Sequence, residues 1–588
     1  MSRHRHEIAL AALYLVAAIG IQAPALTGAF LWDDVDWIAD NENLRSLSGL
    51  LRIWFEPGAS IQYYPLTFTS WWIDRALFGL SPVAMHVENA AGHAANALLF
   101  ALLLRRIGMR GHALAGLLFL AHPVHVESVA WIVERKNVLS TLLYLWALHA
   151  FVSHLDGLPG RKGRALLWFG AALLAKTATL MLPAALWVLC VLRGRKSRAI
   201  LGDLRPFLLL SAAAGAVTIL MERKAGAVGH DWALSLCERF CLAGQIEWFA
   251  LGKLLLPVSL SFVYPKWEIG ADSPFGWMPT LSFALLLLLL LRARPKPIRD
   301  AGLCLFAHAA HMLPTSGLVD FYYLRYAYTA DHFQYLPSLA PLAWIAAVLW
   351  SRTPRPARFP LAALMAGALG SLAFAHARVF TDEETLWRET IRSRPNAWLA
   401  QTNLGNLLDR RDGPGAGLQH HLAALEIEPD AFESLNAVGN DLARHGEFDR
   451  AREVLERALA VRPEDPLTCN NLGALEGAAG NWAEARIWFE RGIEKDPDNA
   501  DLMRNLSLLL SECPDPAQRD AGLSLALARS LAARPGASLL DRYALFRALL
   551  LSGQRDEAVA VGREVARRAG DAGDREIADR VRRQLERL

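Results

Sequence analysis

Up to about Arg378 the chain is a succession of apolar stretches, each about 15 to 25 residues long, joined by short loops that carry Lys and Arg. A helix rises about 1.5 Å per residue, so about 20 apolar residues cross the ~30 Å hydrocarbon core of a bilayer. A polytopic membrane half follows. Composition agrees, because a 588-residue chain with 53% hydrophobic and 20% charged residues is too apolar to be soluble throughout. The first stretch, 8–26, follows Arg3 and Arg5 in the manner of a signal peptide. Gln22-Ala23-Pro24-Ala25 is a poor cleavage context, however, so the stretch reads as a retained helix. Short basic loops stay cytoplasmic, which assigns the N-terminus, Arg105 to Arg110, Arg161 to Arg164, Arg193 to Arg205, Arg292 to Arg299 and Arg352 to Arg358 to that side. The spans consistent with this are 8–26, 84–104, 112–132, 137–154, 165–178, 180–192, 206–221, 276–291, 301–318, 333–350 and 359–377. These eleven crossings leave the C-terminus outside. Segment 240–256 breaks the parity as a full span and reads as re-entrant or interfacial.

Beyond Thr381 the composition turns polar and a repeat emerges. Pro395, Pro429, Pro463 and Pro497 fall 34 residues apart, and Leu404-Gly405, Val438-Gly439 and Leu472-Gly473 recur in that frame, as do Ala451 and Ala485. Small residues at helix-packing points with proline at the junction make the tetratricopeptide pattern, a stacked helical solenoid with a concave face for peptides or proteins. The period is lost around Cys513-Pro514-Asp515-Pro516, and Gln554 to Ala558 reads as the end of a degenerate further repeat. The expected fold is therefore all-α: a transmembrane helix bundle over 1–380, then a tetratricopeptide α-solenoid over 381–588.

Net charge is +3, from 61 basic and 58 acidic residues, and the basic residues form no block able to neutralise a nucleic-acid backbone. A nucleic-acid partner is not expected. Six cysteines without CxxC or zinc-type spacing indicate neither a disulfide framework nor a structural metal.

Chemistry then belongs to ionisable residues that the bilayer makes costly. Trp32-Asp33-Asp34-Val35-Asp36 opens the first outer loop, either as a solvated acidic turn or as a carboxylate at the boundary that acts as general base or helps hold a divalent cation. The loop continues to the aromatic stretch Tyr63-Tyr64-Pro65-Leu66-Thr67. In His122-Pro123-Val124-His125-Val126-Glu127, Pro123 breaks the helix that would put both histidines on one face. Polar groups satisfying one another at that break are favoured over a zinc site. Arg135-Lys136 emerges on the outer side, as a headgroup anchor or as the partner of an anion. Lys176 in Leu173-Leu174-Ala175-Lys176-Thr177-Ala178 either snorkels or pairs with an anion in the bundle. The loop 321–338 gathers tyrosines around Arg325 and His332, a density of rings suited to a sugar or a lipid headgroup.

Trp32-Asp33-Asp34, the Tyr-Pro-Leu-Thr segment, the block from His122 to Trp131 with Arg135, Ala175-Lys176-Thr177 and Tyr335-Leu336-Pro337-Ser338, all ahead of the repeats, resemble the transmembrane and tetratricopeptide-repeat-containing O-mannosyltransferases and their bacterial relatives. One departure is Thr177, where the Ser/Ala-Lys-Glu motif of that family has an acid. The resemblance implies a GT-C glycosyltransferase fold, a polyprenyl-monophosphate sugar donor with mannose as the family's sugar, and repeats that face the same compartment as the active site. The basic loops independently place the repeats outside, so a bacterial inner-membrane protein with a cytoplasmic N-terminus and periplasmic repeats is expected.

Such a transfer needs a base for the acceptor hydroxyl and a stabiliser for the departing phosphate, in one inverting displacement with no enzyme nucleophile. Asp34 or Asp33 fits the base; Arg135, Lys136 and Arg325 fit the phosphate. Lys176, His332, Glu127, His122 and His125 complete the expected donor site. A divalent cation, Mg2+ or Mn2+, bridging the phosphate and Asp33 is compatible with the scheme and not required by it. The partners expected are the lipid-linked sugar, a protein or peptide acceptor held by the repeats, and the lipid bilayer. A lipid-linked oligosaccharide polymerase or ligase, and a non-catalytic membrane scaffold, are the alternatives.

Overall fold

The computed structural model describes residues 2–56, 58–60, 62–224 and 234–588. They form two compact units, Met1–Ala397 and Trp398–Leu588, and every regular element among them is helical.

Among the described residues of the first unit five helices are long and apolar enough to cross a membrane: Pro82–Arg106, Ile132–Leu155, Ser197–Arg223, Pro274–Arg292 and Arg355–Phe380. The pair His112–Ala121 and Pro123–Ala130, bent by 58°, makes a sixth if counted as one span. The eleven expected crossings are thus not all present as full-length helices. Thr177–Leu192 and Leu339–Arg352 belong to a class of 10–17 residues, which at about 1.5 Å per residue is shorter than a ~30 Å core. All of segment 240–256 but its last residue lies in one continuous helix, Leu236–Leu255, opened by a capping box between Ser235 and Glu238 and capped by Leu256, so it makes no re-entrant turn.

Three of the long helices, Ser197–Arg223, Pro274–Arg292 and Arg355–Phe380, bury little of their apolar surface within the protein, and Leu201, Leu209, Leu281 and Leu364 are exposed. Water would penalise such a surface by about 25 cal/mol per Å²; hydrocarbon does not. The helices Pro82–Arg106 and Arg135–Leu155 are the opposite case, buried over most of their length, with Asn96 Nδ2 of the first donating to Val138 O of the second at 2.9 Å and further polar contacts around them. His93 Nδ1 lies 2.7 Å from the Tyr335 hydroxyl, Asn96 Nδ2 donates to the same hydroxyl at 3.1 Å, and His125 Nε2 lies 2.8 Å from Ser338 Oγ.

The second unit stacks helix pairs. First helices begin at Trp398, Phe432, Pro466 and Ala500, in register with the repeated prolines. The frame slips at the short 3-10 turn Pro516–Gln518, after which the next first helix is Leu539–Leu551. Gln554 caps the start of the second helix of that pair, Arg555–Asp571, so the segment from Gln554 to Ala558 opens a helix instead of closing a repeat. The recurring glycines have a steric cause. A Cβ on Gly405 would lie 2.7 Å from the His421 ring, on Gly439 2.6 Å from Leu455, and on Gly473 2.5 Å from the buried Phe489 ring. Only a residue without a side chain lets each pair close. Gly473→Ala should therefore lower stability by about 1–3 kcal/mol through overpacking, read as an earlier unfolding transition of the full-length protein; an unchanged transition would show that the Phe489 ring yields freely.

Candidate active site

The loop that follows the first helix is anchored before it reaches its acidic run. Ala29 N–H donates to Thr381 O at 3.0 Å, and Trp32 stacks on Trp131 at 5.8 Å with its edge toward Trp387. Trp32 has φ +44°, a left-handed conformation that a bulky residue adopts only when its surroundings hold it there. That turn sends the two neighbouring carboxylates in different directions.

Asp34 points inward. It is fully buried, its Oδ2 accepts from Leu31 N–H at 2.9 Å, and its Oδ1 accepts from Val133 N–H at 2.7 Å. Burial pushes its carboxyl up to about 8, against the pull of those two donors. Asp34 thus spans from its own turn to the loop ahead of helix Arg135–Leu155, and it does not line the cavity described next. Asp33 does line it, half-buried, and makes no hydrogen bond or ion pair with any described residue. Burial raises the Asp33 carboxyl to about 6; Lys136 opposes the rise, and Glu134 and Asp36 add to it.

The cavity measures about 1610 Å³ and has two chemically different ends. One end presents Asp33, Asp36, Glu134, Lys136, Lys176 and His332. The other is an apolar channel between the helices Leu182–Leu192 and Ser197–Lys224, lined by side chains such as Leu180, Ala184, Trp187, Leu204 and Leu208.

Glu134 organises the polar end. Its Oε1 pairs with Lys136 Nζ at 2.9 Å, its Oε2 with Lys176 Nζ at 3.1 Å, and Asn137 Nδ2 donates to Oε2 at 2.6 Å. Lys176 reaches it because helix Arg161–Ala175 stops there in extended backbone, with Thr67 Oγ1 donating to the freed carbonyl of Ala175 at 2.8 Å. Lys136 also lies 4.5 Å from the centre of the Trp37 ring. His332 Nδ1 donates to Glu127 Oε1 at 2.6 Å, leaving Nε2 3.8 Å from Glu134 Oε1. Two ammonium groups around one carboxylate leave net positive charge beside an unpaired Asp33.

Several expected donor contacts lie elsewhere. Arg135 is paired with Asp74 and, at 3.0 Å, with Glu88, and it donates to Asn89 Oδ1 at 2.9 Å. Consecutive helical residues diverge by about 100°, so Arg135 and Lys136 cannot both enter the cavity. Arg325 lies 5.8 Å from the Tyr326 ring and is not among the lining residues. His122 Nε2 meets Leu254 O at 2.9 Å and His125 Nδ1 meets Phe119 O at 2.7 Å, both in the interior. Glu127 stands behind His332 and off the cavity surface. Among the described residues no group of three or more His, Cys, Asp or Glu side chains is arranged to hold a metal ion. The hub Glu134 is not among the site residues expected from the sequence, although it stands two residues before Lys136; Asp36 and Tyr64 likewise belong to the motifs that carry expected site residues or the aromatic stretch.

A tetratricopeptide-repeat family model matches residues 437–500. Protein O-mannosyl-transferase TMTC2 of Mus musculus is 30% identical over 178 residues, which is 28% of this chain and 21% of that protein. The Mus musculus TMTC3 protein is 30% identical over 132 residues, 21% of this chain and 14% of its own. The motif resemblance to the transmembrane and tetratricopeptide-repeat O-mannosyltransferases is borne out. The matched region spans about a fifth or less of the length of these relatives. Among solved structures, Pseudomonas aeruginosa pilF covers 36% of this chain and 88% of its own at 18% identity and TM-score 0.27.

The different burial of the two aspartates has a measurable consequence. Asp34→Ala strands two buried N–H groups at about 1–3 kcal/mol each and should lower the melting temperature clearly. Asp33→Asn, which removes no partner, should leave it nearly unchanged. Equal melting temperatures for the two variants would contradict the bracing role of Asp34.

Proposed function

We propose that the first unit is a GT-C-like membrane glycosyltransferase that moves a sugar, mannose by analogy with the named relatives, from a polyprenyl-phosphate donor to a hydroxyl of a protein acceptor. The observation that carries this reading is the unpaired Asp33 carboxylate facing Lys136 and Lys176 at the head of an apolar channel. The channel suits a polyprenyl tail, and the two lysines suit the phosphate that leaves. Asp33, in preference to Asp34, takes the proton of the acceptor hydroxyl as its oxygen attacks the anomeric carbon. The bond from that carbon to the phosphate oxygen breaks, the electron pair stays on the phosphate, and the sugar inverts. Glu134 touches no reacting atom in this scheme; it positions both ammonium groups. Lys136, Lys176 and His332 are the donor-site residues retained from the sequence reading.

Loss of a general base costs about two to four orders of magnitude in rate. Asp33→Asn should show that loss in a transfer assay with purified protein and polyprenyl-phosphate mannose, with the acceptor analysed by mass spectrometry. The base must be ionised to work, and its carboxyl is raised to about 6. The kcat/KM of the unmodified enzyme should therefore fall about tenfold per pH unit below about 6 and level off above it. Full turnover by the Asp33→Asn variant would reject the assignment.

The repeats, on this reading, lie on the periplasmic side of a bacterial inner membrane and select the acceptor through their concave face. Cys469 is buried and cannot report on orientation. Asp449 is fully exposed, so Asp449→Cys in a Cys237→Ser background should react with a membrane-impermeant maleimide in intact spheroplasts. Labelling only after lysis would place the repeats in the cytoplasm.

A further inference from the structure

The polar end of the cavity holds a carboxylate that the scheme above does not use. Glu222, in the last turn of helix Ser197–Lys224, lines the cavity together with Gln62, Tyr64 and Tyr322. Gln62 Nε2 donates to its Oε1 at 3.1 Å, and the backbone N–H of Tyr322 donates to its Oε2 at 3.1 Å. Both partners are neutral, and Glu222 makes no ion pair with a described residue. The contrast with Glu134, wedged between two ammonium groups, is chemical. Glu134 is charge-compensated and favours an anion nearby; Glu222 has no cation bonded to it, and in its ionised form it repels an anion.

A carboxylate has about four lone-pair sites, so each oxygen of Glu222 has one acceptor position left after these two bonds. Gln62 has turned its amide nitrogen to Glu222, which leaves its carbonyl oxygen as a further acceptor. Tyr322 and Tyr326, whose hydroxyls are 3.0 Å apart, add ring faces and hydroxyls on the same wall. Closely spaced acceptors with no cation bonded to them, beside aromatic surface, fit a neutral group that brings O–H donors. They do not fit a phosphate. Within a lipid-linked sugar that group is the sugar ring, with adjacent hydroxyls able to donate to the two carboxylate oxygens.

We propose that Glu222 and Gln62 bind the hydroxyls of the donor's sugar, making Glu222 a determinant of which sugar is accepted. The proposal rests on the transfer reading above. It assigns the phosphate to Lys136 and Lys176 and the sugar to Glu222, and it expects a neutral hexose to be taken and a uronic acid to be repelled.

The experiment measures binding of two ligands, polyprenyl phosphate and polyprenyl-phosphate mannose, to the full-length protein by isothermal titration calorimetry. The unmodified protein should bind the mannose-bearing lipid more tightly. In Glu222→Gln that advantage should shrink by about tenfold or more, the effect of losing a charge-assisted hydrogen bond, while affinity for plain polyprenyl phosphate stays the same. Gln62→Ala should reduce the same advantage more weakly and serves if Glu222→Gln does not fold. An undiminished preference for the mannose-bearing lipid in both variants would overturn the proposal. An equal loss for both ligands would also overturn it, marking Glu222 as a latch between the helix and the Tyr322 loop. Failure of the unmodified protein to bind either lipid would instead remove the transfer reading itself.

Discussion

Glu134 is the constraint on which the membrane unit depends. A carboxylate taken from water costs several kcal/mol unless its charge is matched, and this one is almost wholly buried. Its partners come from segments far apart in the chain: Lys136 from the first turn of one helix, Lys176 from the end of another, and His332 from a short 3-10 turn that reaches it at longer range. Bringing them together places helix ends within apolar stretches of the chain, as at Ala175. Such breaks are tolerated there only where freed backbone groups find partners or line a cavity. Thr67 supplies one such partner, at the carbonyl of Ala175. The cluster that breaks the spans also forms the head of the cavity.

Around that cluster, neighbouring residues divide the work by direction. Asp34 braces the loop and Asp33 faces the cavity. Arg135 locks helix Pro82–Arg106 through Asn89 and Glu88, while Lys136 faces the cavity. In each pair the inward residue is tied by two or more polar contacts and the other is free to meet a ligand or holds Glu134. Tyr264, donating to both oxygens of Asp331 at 3.0 Å, fixes the loop that presents His332 in the same manner. Rigid support behind the reacting groups is what a site needs if donor and acceptor are to meet in one geometry.

The repeat unit follows a simpler rule. Its helices approach closely because glycine stands where partner side chains press in, at Gly405, Gly439 and Gly473. Each contact is between neighbours in the stack, as expected of a solenoid whose stability is the sum of local interfaces. Asn471 Nδ2 donates to Asn436 Oδ1 at 2.9 Å and Asn505 Nδ2 to Asn470 Oδ1 at 2.8 Å, so polar side chains also bridge successive first helices.

The amino-acid sequence by itself determined the apolar helical character of the first part and the 34-residue frame of the second, because both are periodic and each repeat or span depends mainly on residues near it. It also brought Asp33, Lys136, Lys176 and His332 into view as costly or clustered polar groups. It could not number the spans, because a stretch such as 165–192 keeps an apolar composition across the break at Lys176. Nor could it separate Asp33 from Asp34, or Lys136 from Arg135, since adjacent residues of the same charge share their sequence context and are told apart here by the direction they face. That direction was decided by the tertiary structure: by the N–H groups of Leu31 and Val133 that hold Asp34, and by the carboxylates of Asp74 and Glu88 that hold Arg135. The hub Glu134 was settled the same way, because a buried carboxylate is identified by the cations that fold around it, and those lie 42 residues away in the case of Lys176.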